Sequence, residues 1–175
     1  DRLAGHWYVS RTRFGLLTHA RLRAAQENSG KLVMVVRKRA REIAAETDAY
    51  YILSDGPPGI GCPAISSLSG AQTALIVTEP SLSGIHDLER VLGLCRHFGV
   101  SALVCINKYD LSAENSHRIE EHCRLLAVDV VGRIPFDPDV NSAIVEGRPV
   151  VETSDGAASR EIRNLWQAGA AHPTP

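Results

Sequence analysis

The stretch "YYILSDGPPGIGCP", Tyr50 to Pro63, is an apolar run that ends in an acid, Asp55, and then breaks into prolines and glycines. A carboxylate carried to the end of a buried strand, next to backbone that can approach closely, suits a nucleotide phosphate and its magnesium. Asp55 would hold the cation directly or through water. Gly59 would lend a backbone N–H to a terminal phosphate and move when that phosphate leaves. Pro57-Pro58 stiffens one side of Gly59 and Gly61 loosens the other, as a switch needs. The plain alternative is a turn acid with loop glycines. A second pattern, "INKYD", places Asn107, Lys108 and Asp110 in the N-K-x-D spacing. An amide and a carboxylate so placed can bond a purine edge while the lysine stem covers the ring. Its plain alternative is a turn leading into a helix.

Such a site also needs a phosphate-cradling lysine loop. "ENSGKLV" is the nearest candidate, and it departs from G-x-x-x-x-G-K-[ST]. Ala25 stands where the first glycine belongs and Leu32 where the metal-binding hydroxyl belongs. Lys31 and the Asn28 to Gly30 turn could still bind an anion at the start of the following helix. An N-cap by Asn28 or Ser29 accounts for the same residues.

Other chemistries find less support. The cysteines Cys62, Cys95, Cys105 and Cys123 contain no C-x-x-C pair, and the last three lie in apolar or amphipathic segments, as buried thiols do. Cys62 precedes Pro63, which can open a helix, so Cys62 is read either as a reactive thiol at that helix start or as a small core residue. The histidines form no H-x-x-x-H or H-E-x-x-H arrangement; His86, His97, His117 and His122 fall in helical patterns as solvated positions. No G-x-S-x-G elbow is present to anchor a hydrolase triad.

The elements that must position these residues follow from periodicity. Lys31 to Glu46 reads as an amphipathic helix with Leu32, Val36, Ala40, Ile43 and Ala44 on one face. Four apolar runs, Tyr50 to Leu53, Thr73 to Val77, Ala102 to Ile106 and Val130 to Ile134, lack polar alternation, as strands covered on both faces do. Helical patterns separate or follow them at Ile85 to Phe98, Ala113 to Leu126, Val140 to Glu146 and Gly156 to Trp166. The result is an α/β fold with a mainly parallel sheet flanked by helices. The first thirty residues suggest a strand at His6 to Ser10 and a helix from Leu17 to Gln26; residues 168–175 suggest a frayed tail. In such sheets ligands sit beyond the carboxyl ends of the strands. Asp55 with Gly59, Glu79 with Pro80, Asn107 to Asp110, and Pro135 to Asp137 are therefore expected on one rim.

With 175 residues, 44% of them hydrophobic and 22% charged, and a net charge of -1, the chain is expected to be a single domain with no general attraction for nucleic acid or membranes. No run approaches a membrane span, and "DRLAGHWYVS" lacks the marks of a signal peptide, so a cytoplasmic location is expected. The chain starts at Asp1 and its one methionine is Met34, which suggests that the natural N-terminus is absent.

Taken together, "ENSGKLV", "DGPPGIGCP", "VTEPSLSGIHDLERV", "INKYDL" and "IPFD" resemble, in order, segments of the MinD/ParA/Mrp class of P-loop ATPases. The likeness covers about Phe14 to Val151 and is nearest to the branch of the MinD superfamily that carries an inserted ferredoxin-like domain. The resemblance implies a P-loop NTPase fold of the SIMIBI type, here N-terminally incomplete, and a nucleotide held near a homodimer interface. It also implies ATP and Mg2+ as cofactors, and ATP hydrolysis coupled to a switch or dimerisation cycle with a protein client. It assigns Asp55 to magnesium and the switch, Gly59 to the terminal phosphate, Asn107 to the base, and Pro135 with its neighbours to the base pocket. Asp87 and Arg90 would lie near the switch or dimer face. The family's K-G-G-x-G-K-[ST] loop and cysteine-rich insert are missing from this sequence. The chain is therefore expected to be inactive alone, and 4Fe-4S clusters are expected only where that insert is present. Two other functions stay open: a GTPase in which Asp110 reads guanine, and a partner-binding module without catalysis.

Overall fold

Residues 5–22 and 29–171 are described by the structure, a computed structural model, and the chain divides into two units between Ala71 and Gln72. In the first unit, β1 (Gly5–Thr12) and β2 (Gly15–Leu22) form an antiparallel hairpin in which Tyr8 faces His19 and Val9 faces Thr18. The strand expected at His6 to Ser10 is thus present. The helix expected from Leu17 to Gln26 is replaced by strand as far as Leu22, and residues 23–28, with Ala25 and Asn28 among them, lie outside the described ones. Leu, Ala and Arg favour helix locally, but the ladder to β1 outweighs that preference.

Helix α1 (Ser29–Glu46) packs against β2 and against α2 (Cys62–Leu68), which Pro63 opens as expected. Arg37 Nη1 donates to the carbonyls of Ser66 (2.7 Å) and Ser69 (2.6 Å), and Arg41 Nη2 donates to the carbonyl of Gly70 (2.9 Å). The guanidinium groups thereby satisfy carbonyls at the end of α2 that have no partner within the helix. Between the two helices, Tyr50 to Leu53 does not form the expected strand. Its side chains are exposed, Tyr50 by 89% and Leu53 by 76%. An apolar run becomes a strand only when its backbone finds a ladder, and no partner strand lies beside this one among the described residues.

The second unit carries a parallel sheet in the order β3 (Thr73–Thr78), β4 (Ser101–Asn107), β5 (Asp129–Ile134). Alternate residues of β4 serve two layers, as the period of a strand requires. Val104 and Ile106 join Leu88, Leu92, Ile119 and Cys123 of α3 (Leu82–Phe98) and α4 (Ala113–Leu125). Cys105 instead meets Ile134 and, from α7 (Ala157–Ala171), Ala158. The expectation of cover on both faces holds for β4, whose residues 103–106 are all buried. It fails for β3, where Leu75 and Val77 are 47% and 58% exposed. Helices α5 (Pro138–Val145) and α6 (Val150–Thr153) connect β5 to α7. Of the tail expected to fray, the part up to Ala171 is helical, and residues 172–175 lie outside the described ones.

Capping side chains set the helix starts near the strand exits. Ser81 accepts from Gly84 N (3.0 Å) to begin α3, and Ser112 accepts from Asn115 N (3.3 Å) to begin α4. A Cβ on Gly84 would stand 2.3 Å from the Glu79 carbonyl oxygen. Because that neighbour is backbone, Gly84→Ala is expected to cost about 3 kcal/mol, read as a fall of several degrees in the thermal midpoint. An unchanged midpoint would show that the start of α3 yields freely.

Candidate functional site at the strand exits

The turn after β4 is fastened to both neighbouring strand exits. Lys108 adopts a left-handed conformation (φ 53°), and a 3-10 turn, Tyr109–Leu111, follows it. A non-glycine residue is uncommon there and must be held by its surroundings. On one side, Lys108 Nζ meets Glu79 Oε1 at 2.8 Å, and Asn115 Nδ2 donates to the Pro80 carbonyl at 3.2 Å, both at the exit of β3. On the other, the Phe136 N–H donates to Asp110 Oδ1 at 2.7 Å, at the exit of β5. Ser116 Oγ closes the turn from below by donating to the Tyr109 carbonyl at 2.7 Å.

One residue further on, Asp137 is committed twice. Its Oδ1 accepts from Asp139 N (3.0 Å) at the start of α5, and its Oδ2 accepts from Ala158 N (3.1 Å) in the first turn of α7. Both bonds place negative charge at helix N-termini, where it is favourable. Pro135 and Tyr109 border a cleft of about 420 Å³ whose other walls include Gly132, Arg133 and Glu161. Asn107, half-buried at the end of β4, makes no side-chain hydrogen bond among the described residues, so its amide is available to a ligand.

Asn107, Lys108, Asp110 and Pro135 are therefore brought together in the second unit. Asp55, Gly59 and Lys31 belong to the first unit. Asp55 is exposed, in a segment without regular structure, which corrects the expectation that a strand would deliver it. Gly59 is exposed with φ 78°, a conformation that other residues rarely adopt. Lys31 is exposed in the first turn of α1. Asp87 and Arg90 are exposed on α3, and Asp87 Oδ1 lies 3.9 Å from His86 Nδ1. The sequence reading placed Tyr109 on the rim and missed Glu161 as a cleft wall. Tyr109 was legible from its place within the N-K-x-D turn, but Glu161 lies on α7 and carried no local signal.

Cys95, Cys105 and Cys123 are buried, as expected; burial raises all three thiol pKa values, those of Cys105 and Cys123 to about 11. Glu120 adds to the rise at Cys123. Cys62 is exposed rather than a core residue. In the native protein at pH 8, iodoacetamide should alkylate Cys62 at least about tenfold faster than the other three; comparable labelling of Cys105 would contradict this packing. Among the described residues no three His, Cys, Asp or Glu side chains gather as a metal site. These cysteines do not fit an iron-sulfur cluster. No described helix is long and apolar enough to cross a membrane.

Comparison with known proteins decides the family. No protein-family profile matches the chain. It is 32% identical over 142 residues to the septum site-determining protein MinD of Helicobacter pylori, a match covering 74% of this chain and 53% of that one. The solved structure of the MinD cell division protein of Aquifex aeolicus superposes with a TM-score of 0.69 at 25% identity, covering 95% of this chain and 70% of that one. The chain belongs to the MinD/ParA superfamily of P-loop ATPases. MinD of Pyrococcus horikoshii, solved with Mg-ADP, is similar at a TM-score of 0.61 and 25% identity, over 77% of this chain and 56% of that one. The parallel sheet flanked by helices is thus the MinD fold that the sequence led us to expect. The chain spans about half the length of the curated MinD relatives it matches.

Proposed function

We propose that this chain is the base-binding and switch portion of a MinD-like ATPase that couples ATP binding and hydrolysis to a switch or dimerisation cycle. The observation that carries this reading is the turn after β4, which holds Asn107 and Lys108 beside the loop that begins at Pro135. Asn107 is the group for the purine edge, the stem of Lys108 covers the ring, and Pro135 bounds the pocket. Lys31 is the further candidate for an anion contact at the start of α1.

Asp55 and Gly59 are the magnesium and switch residues. Magnesium keeps several waters and takes only one or two protein carboxylates beside the substrate phosphates. Asp55, exposed and without a hydrogen bond or ion pair among the described residues, fits that demand. Bound there, the cation would supply charge neutralisation for the transferring phosphate. ADP with magnesium on the similar Pyrococcus horikoshii protein supports the same pair of ligands here. A homodimer and a protein client complete the proposal, and the cytoplasm is its proposed location.

The test is competition binding of ATP-Mg to the full-length gene product and its Asn107→Ala variant. Loss of the amide should weaken ATP by about tenfold, the worth of one or two purine hydrogen bonds. Binding that is indifferent to Asn107 would remove this turn from the nucleotide site. A GTPase built on Asp110 is the second reading, and the bond from the Phe136 N–H to that carboxylate weighs against it.

A further inference from the structure

We infer that Asp110 is a positioning residue: Oδ1 of its carboxylate accepts from the backbone at the exit of β5, fixes the loop that starts at Pro135, and does not read a base. Read alone, N-K-x-D assigns this acid to guanine, whose N1–H and N2–H groups need both carboxylate oxygens. Here Oδ1 already accepts the Phe136 N–H at 2.7 Å across 26 residues of sequence. Pro135 has no N–H, so Phe136 is the first donor that the chain offers on leaving the strand. The next residue, Asp137, has each oxygen in a bond to the start of α5 or α7. Asp110 therefore holds the one end of this short loop that Asp137 does not.

The fastening is two-sided. Lys108, two residues earlier, is held to Glu79, so the left-handed residue carries the stitch to β3 and the 3-10 turn carries, through Asp110, the stitch to β5. In the proposed function, on which the base-specific part of this inference rests, Asn107 and Pro135 face the same purine. Their separation is then set by the Asp110 bond. An adenine suits such a pocket because it asks for no second carboxylate, whereas guanine would have to compete with the loop's own backbone for Asp110.

Two variants of the full-length gene product separate the roles. Asp110→Asn keeps an oxygen that can accept from Phe136, and Asp110→Ala removes it. Amide hydrogen exchange at Phe136 should speed up by about fivefold in Asp110→Ala. ATP affinity should fall several-fold in parallel. Asp110→Asn should recover most of both losses, and GTP should compete poorly with ATP in all three proteins. Unchanged exchange at Phe136 in Asp110→Ala would overturn the inference. So would a GTP preference in the natural protein that collapses in Asp110→Asn, since a guanine-reading acid tolerates no amide. If exchange responds as expected while the natural protein binds neither nucleotide, the positioning of the loop stands and the nucleotide reading fails.

Discussion

Asp55→Ala in the full-length gene product should lower single-turnover ATP hydrolysis by about a hundredfold or more while weakening nucleotide binding only several-fold. The asymmetry follows from where each group acts. A carboxylate that positions magnesium and the switch stabilises charge that develops in the transition state, whereas ground-state affinity is spread over the phosphate contacts and the base pocket. The structure makes this variant interpretable. Asp55 is exposed and engages no described residue, so its removal breaks no side-chain bond among the described residues. An unchanged thermal midpoint should accompany the loss of rate. Equal losses in binding and rate would place Asp55 in ground-state binding alone, and an unaltered rate would remove it from the site.

The 175-residue chain by itself should hydrolyse no ATP above background and should bind ATP-Mg weakly. Its sequence contains no G-x-x-x-x-G-K-[ST] segment. In phosphoryl transfer the lysine and backbone N–H groups of that loop, with the metal, carry most of the charge stabilisation. Without them the turn after β4 can contribute base contacts but little toward the transition state. Labelled ATP under single-turnover conditions is the measurement. Turnover that Asp55→Asn abolishes would show that the chain holds another phosphate site, with Lys31 as its first candidate.

Much of the second unit was legible because its signals are local. The runs that became β3, β4 and β5 have strand length and no polar alternation, and Ser81, Ser112 and Asp137 each stand where a side chain can cap the next helix. Helix α1 declared itself by its apolar stripe. The parallel sense of the strands also followed from alternation with helices, whereas their order in the sheet came from the structure. These features depend on residues a few positions apart, and those residues travel together in any sequence.

What only the tertiary structure decided were pairings between distant residues. Tyr50 to Leu53 looks like the other runs, yet it forms no ladder among the described residues, because strand identity belongs to a pair of segments and not to one. Leu17 to Leu22 carries helical propensity and is a strand because β1 lies opposite. The same logic governs the site. N-K-x-D placed an amide, a lysine and an acid at the end of a strand, and the sequence alone determined that they would stand there. Which groups they touch was settled by Glu79, 29 positions before Lys108, and by Phe136, 26 positions after Asp110. Asp110 is exposed, yet its Oδ1 holds the chain's own backbone, and only folding brings that N–H within 2.7 Å.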